Sequence, residues 1–398
     1  MTKKDSREAK YSRRKVLATA LPVGVALGTS WSSAGRAVQK SQSHKVGRSV
    51  DSINQRTDGT YATVPLRKES ILIGLVQSRV RQVDPRNPRP GLKANLAHML
   101  TLIDDAQHVG FYPPKDLLHF HEFALTGYSD TWSRAEALRA AIELPGEETE
   151  AIGKKAREHD CYIIFGSYVR DPDWPGHVLS IATTIGPDGR IISRSWKACN
   201  AHGVFPNPNF ALFTSTIFNN LDRFVEMYGW DAVVPVIRTD IGNFTTTSVQ
   251  GDPEFARVAA MKGCEIFLRD ATGGFMAIDQ QATAFYNQMY CCVVNNAVSP
   301  DNPGFFPSDA YFGHSAIYGP TGEVVAKAGA DGEEQQVVAE IPIGSFREWH
   351  RQPRIAMALY RPEYDRYVGP YPSNLFASAM PNDTTEAARF FQQSLRWK

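Results

Sequence analysis

An α/β fold with mixed sheets is predicted for this chain, and three observations predict it. Short apolar runs that suit buried strands alternate with longer segments of helical periodicity. Turn signals between some neighbouring runs introduce hairpins, and hence antiparallel pairs, into an otherwise parallel array. Hydrophobic residues make up 42% of the 398 residues, enough for a sizeable core.

The elements follow in order. Ile71–Gln77 reads as a buried strand, and Leu92, Leu96, Met99, Leu100 and Ile103 then recur at helical spacing. Leu117–Phe120 is a second strand and leads into Glu122. Pro145, Gly146, Glu147 and Glu148 open a helix whose acidic first turn suits its dipole. Residues 161–166 form the next strand, and the strands 180–185 and 190–197 flank the turn Gly186-Pro-Asp-Gly189. A second turn, Asp240-Ile-Gly-Asn243, separates the strands 233–238 and 244–249. Asp252 and Pro253 make a good helix start, and Gly263 a good stop. A helix over 278–290, a strand over 291–296 and further strands up to Ile341 complete the pattern.

A net charge of +1, with no long basic block in the folded region, argues against nucleic acid as a partner. Cys161, Cys199, Cys264, Cys291 and Cys292 are too few for a disulfide framework and mostly lie in apolar runs. Residues 1–37 read as a twin-arginine signal: Arg13 and Arg14 precede an apolar run over 16–28 and a small-residue end near Ala37. That run is too short for a stable membrane span. The expected location is the periplasm or exterior of a bacterium. Residues 38–66 are polar and read as a flexible linker, 67–345 as the folded domain, and 346–398 as a C-terminal extension.

Four blocks carry the chemistry. The first is His121-Glu122-Phe-Ala-Leu-Thr-Gly-Tyr128, and the second is Arg194-Ser-Trp-Lys197. The third runs Asn243-Phe-Thr-Thr-Thr247-Ser-Val-Gln-Gly-Asp-Pro-Glu254, and the fourth contains Tyr311-Phe-Gly-His-Ser-Ala-Ile317. Together they resemble the carbon-nitrogen hydrolase (nitrilase) superfamily, and its aliphatic amidase and formamidase branch most closely. The resemblance covers roughly residues 70–345. It implies a four-layer α-β-β-α sandwich, Glu122 as general base and Lys197 as the cation that stabilises an oxyanion. It also implies a homo-oligomer, with the extension packed on a neighbouring subunit, and no cofactor.

The chain departs from the family pattern twice. The nucleophilic cysteine of relatives lies seven residues before the glutamate of a Pro-Glu pair, and that position is Thr247 here. A threonine hydroxyl is far less acidic than a thiol, and β-branching stiffens it. Thr247, Ser248, Cys199 and an activated water all stand as possible attackers. Relatives also carry a second glutamate beyond the lysine, whereas residues 198–206 contain no carboxylate, and His202 is the candidate to replace it. Tyr128, His202, Ser248 and Arg269 are expected around a small-molecule substrate or ligand. The insertion 207–230 either covers the cleft or packs as a loop. His119 and His121 alternate onto one face, but further ligands at characteristic spacing are not evident, so no metal is expected. The expected function is that of an atypical hydrolase of small amides, hydrazides or nitriles. The alternative is a pseudo-amidase that binds such a compound or serves in an assembly.

Overall fold

The structure is a computed structural model that describes residues 56–108, 112–200, 207–297, 299 and 313–397. The signal-like segment, most of the expected linker and His202 lie outside the described residues.

Two six-stranded sheets form the centre of the fold. The first comprises β1 (Ile71–Gln77), β2 (Leu117–Phe120), β3 (Tyr162–Val169), β4 (Leu179–Ile185), β5 (Ile191–Trp196) and β12 (Gln335–Ile341), in the order β12-β1-β2-β3-β4-β5. The second comprises β6 (Ile237–Thr239), β7 (Gly242–Thr247), β8 (Ile266–Asp270), β9 (Tyr290–Val294), β10 (Ala316–Tyr318) and β11 (Val324–Lys327), in the order β11-β10-β9-β8-β7-β6. Each sheet has a parallel centre, β1-β2-β3 and β7-β8-β9, with antiparallel strands outside it. The sheets are therefore mixed, as the alternation of crossovers and hairpins predicts.

Apolar side chains divide the molecule into layers. Ile73, Leu117 and Ile164 of the first sheet pack with Phe244, Ile266 and Leu268 of the second, so one core lies between the sheets. The opposite face of the first sheet packs on α1 (Pro88–His108), α2 (Arg134–Ala140) and α3 (Glu147–His159). The outer face of the second packs on α5 (Pro253–Met261) and α6 (Ala277–Asn287). Strand alternation explains the division, because Phe267 faces the helices while Ile266 and Leu268 face the other sheet. The result is the α-β-β-α sandwich.

Helix ends follow local chemistry. In α5 the Asp252 carboxylate accepts from the Phe255 N–H at 3.0 Å, and Pro253 occupies the first turn, where no donor is needed. Gly263 then turns the chain at φ +83, with its Cα face against the ring of Tyr61.

Of the strand expected over 233–238 only the end is realised, in β6, and two longer segments also differ from expectation. Tyr61, within the expected linker, is buried, and its hydroxyl donates to Glu265 Oε1 at 2.9 Å. Its neighbours join a network in which Arg347 grips both oxygens of the fully buried Glu265, so the end of that segment is part of the domain. The C-terminal extension was expected on a neighbouring subunit. Much of it packs on its own chain: Phe376 and, on α9 (Thr384–Ser394), Ala387, Ala388 and Phe391 enter the core against the first sheet. The part around α8 (Met357–Arg366) leaves a run of exposed large side chains, Leu359, Tyr360 and Tyr364. Polar composition and distance from the motifs hid this return, because nothing local in the sequence marks a long-range docking face.

Candidate active site

Glu122 and Lys197 come together from two strands of the first sheet. Glu122 stands just past the end of β2, where the chain is pressed against β3. The Gly166 N–H donates to His121 O at 3.1 Å, and the Ala124 N–H donates to Gly166 O at 3.2 Å. Lys197 stands just past β5, with its N–H donating to Ser180 O on β4 at 3.0 Å. The Lys197 ammonium then donates to Glu122 Oε1 at 3.0 Å, and the Ser180 hydroxyl donates to the same oxygen at 3.3 Å. The two charged side chains are only 8% and 11% exposed. Such a pair survives burial because each charge offsets the desolvation of the other. Sequence reasoning named both residues. It missed Ser180, whose place opposite Glu122 depends on strand pairing.

The elbow after β7 is held at nearly every residue. Thr247 ends the strand in register with Arg269 of β8. Its hydroxyl oxygen accepts from the Val249 N–H at 3.1 Å, and the residue is 2% exposed. Arg269 donates through Nε to Val249 O at 3.0 Å and through Nη2 to Gln250 Oε1 at 3.2 Å. Asp279, near the start of α6, accepts from the Gly251 N–H at 3.1 Å. Ser248 is half-buried between these anchors. Arg269 was expected to touch substrate, and its bonds show that it braces the elbow. It is buried, which lowers its pKa, while Glu122, Asp279 and Asp270 lie close enough to counter that effect.

Tyr128 is buried, with its ring stacked on Phe123 at 5.5 Å and Phe123 packed in turn on Tyr168. Burial pushes both tyrosine hydroxyls well up, and the nearby Glu122 charge adds to it. They are therefore neutral hydroxyls at physiological pH. The insertion lines the same side as a packed layer: Phe213, Ile217 and Phe224 are buried against the first sheet. The Ile217 N–H donates to Lys197 O at 3.1 Å, so the insertion also pins the strand that carries the lysine.

The thiols are ill suited to attack. Burial and the neighbouring Asp252 carboxylate push Cys199 up to about 12, with its Sγ 3.6 Å from Asp252 Oδ2. Cys161, Cys264, Cys291 and Cys292 are buried. Among the described residues, one group of three could approach a metal ion, Asp104, Glu158 and His159 on the α1 and α3 surface. Lys155 already lies 2.7 Å from Asp104 there, which disfavours a second cation. No helix among the described residues is long and apolar enough to cross a membrane.

Comparison with known proteins agrees with this fold. The model of the family described as carbon-nitrogen hydrolase matches residues 76–351. A formamidase of Helicobacter acinonychis is 26% identical over 65% of this chain and 70% of its own length. The human omega-amidase is 25% identical over 53% of this chain and 72% of its own. Among solved structures, a Saccharomyces cerevisiae member of branch 10 of the nitrilase superfamily aligns at TM-score 0.54 and 19% identity, covering 72% of this chain and 96% of that one. An amidase from Nesterenkonia aligns at TM-score 0.52 and 17% identity, over 75% of this chain and 98% of its own. With the matched region spanning both sheets and both residues of the buried ion pair, this chain belongs to the carbon-nitrogen hydrolase family.

Proposed function

We propose that this protein hydrolyses a small amide-type compound (an amide, hydrazide or nitrile) without a cysteine nucleophile, with Thr247 occupying the position that relatives give to the thiol. The observation that carries the reading is the Glu122–Lys197 contact at 3.0 Å between side chains that are about nine-tenths buried. For an amide, Glu122 takes a proton from water, the water oxygen bonds to the carbonyl carbon, and Lys197 faces the resulting oxyanion. The carbon–nitrogen bond then breaks, and the proton held by Glu122 goes to the departing nitrogen, leaving a carboxylic acid and ammonia. Cys199 is a poor alternative attacker because its thiol is held protonated beside Asp252.

The test is release of ammonia or hydrazine from a panel of short amides, hydrazides and nitriles, followed alongside intact-protein mass. Turnover that disappears in Glu122→Gln but persists in Thr247→Val supports activated water. A covalent adduct on any residue removes it.

A second reading is a pseudo-amidase that binds such a compound without cleaving it. It is favoured by Thr247, whose hydroxyl is committed to the elbow backbone. Stoichiometric binding with no product separates it from the first reading, and any multiple turnover sinks it.

Two further expectations accompany both readings. Export rests on Arg13 and Arg14 ahead of the apolar run, and unaltered export of an Arg13→Lys, Arg14→Lys chain would remove it. Homo-oligomerisation is supported by the exposed Phe285, Tyr286, Leu359 and Tyr364, and a monomer in light scattering at micromolar concentration would remove it.

A further inference from the structure

His119 and Asp270 face each other across the gap between the two sheets. His119 lies on β2, whose inward neighbour Leu117 belongs to the inter-sheet core, and Asp270 is the last residue of β8, where Ile266 and Leu268 hold the same face. The side chains are 0% and 1% exposed, and His119 Nε2 stands 3.9 Å from Asp270 Oδ1. That is too long for a direct hydrogen bond. Neither ring nitrogen of His119, nor Asp270 Oδ1, finds a partner among the described residues. The Thr246 hydroxyl, on the neighbouring strand and the same face by its register with Leu268, is buried and unpartnered as well. Four buried polar atoms without a partner among the described residues, set beside the inter-sheet core, are costly. A polar gap with several donors and acceptors is the setting in which proteins hold internal water.

The pair sits directly behind the proposed base. Glu122 is three residues beyond His119 on the same stretch, and its N–H reaches the carbonyl of Ala271, the residue after Asp270, at 3.5 Å. The same two segments therefore meet twice, once through the side chains of His119 and Asp270 and once through the backbone that carries Glu122. β2 and β8 pack against each other at this point. Apolar packing alone would set the separation of the sheets but not the register of their ends, whereas a bridged polar pair fixes both.

We propose that His119 and Asp270, bridged by internal water, are a positioning pair that ties β2 to β8 and so fixes where the Glu122 carboxylate stands against Lys197. The importance of that carboxylate rests on the proposed hydrolysis, so the test reads geometry as well as rate.

The experiment is a set of crystal structures of the mature protein: wild type, Asp270→Asn, Asp270→Leu and His119→Phe. The wild type is expected to show ordered water within hydrogen-bonding distance of both His119 and Asp270. Asp270→Leu and His119→Phe are expected to lose that water and to lengthen the Glu122–Lys197 contact beyond hydrogen-bond reach. Asp270→Asn, which keeps an accepting oxygen, is expected to retain both features. With a substrate in hand, kcat of the two disruptive variants should fall on the order of 100-fold, with KM little changed and Asp270→Asn close to wild type. A dry gap in the wild type overturns the bridge, and this needs no variant to fold. An unchanged Glu122–Lys197 distance in either folded disruptive variant overturns the positioning role. A wild type with no turnover but with the water and the shifts in place would count against the hydrolase alone.

Discussion

Gly166 and Glu122 touch backbone to backbone: a methyl group on Gly166 would stand 2.3 Å from the carbonyl oxygen of Glu122 and 2.5 Å from its Cα. The only residue that fits there is one without a side chain, because the contact atoms are main chain and cannot swing aside. Gly166→Ala is thus expected to push Glu122 away from Lys197. The stability loss should be about 1–3 kcal/mol, as for other overpacked interiors. Chemical denaturation gives the stability, and ligand binding or turnover should fall further than stability does. A Gly166→Ala protein of wild-type stability and activity would refute this tight contact.

The Glu122–Lys197 pair gives a second expectation. Lys197→Met leaves a buried carboxylate without its cation, which costs about 3–5 kcal/mol in comparable sites. Adding Glu122→Gln removes the orphaned charge, so the double variant should recover most of that loss. Denaturant midpoints of the single and double variants form the cycle that measures it. Additive losses would mean that the two side chains do not interact.

The lock around Glu265 gives a third. Glu265 is fully buried and takes bonds from Tyr61, the Asn243 N–H and the Nε and Nη2 of Arg347. Arg347→Met is expected to destabilise by about 3–5 kcal/mol, and to release residues 56–66. Limited proteolysis near Tyr61 should accelerate. Unchanged cleavage in a destabilised variant would separate the lock from the attachment of that segment.

Acid should unfold the protein through its buried histidines. Burial holds His121 down to about 3 and His350 down to about 4. In the unfolded chain each takes a proton near about 6.5. The unfolded state therefore binds more protons below that value, and stability falls as pH drops from about 6.5 towards about 4. Below the folded-state values the loss levels off. Melting temperature against pH should show this slope, and His350→Gln should flatten it. An equal slope in the folded variant would assign the protons elsewhere.

Much of this was legible in the sequence, for reasons that differ by residue. Strand and helix order followed from local periodicity, and the α5 start from Asp252 and Pro253, because those preferences act within a few residues. Glu122, Lys197 and Thr247 were located by motif spacing. Their partners were not: Ser180, Gly166 and Asp270 reach the site through strand pairing or sheet packing, and nothing in their neighbours announces it. Arg269 was found as a site residue, but only the turn of the elbow shows what its Nε and Nη2 hold.

The sequence by itself determined the layers, the order of elements and which charged residues were available for chemistry. The tertiary structure alone decided that Ser180 shares a buried Glu122 oxygen with Lys197, that residues 371–394 return to their own domain, and that His119 faces Asp270. Each of these joins segments far apart in the chain. A local pattern records the face that a residue turns inward, but the residue it meets there is set by the register of strands and the packing of sheets.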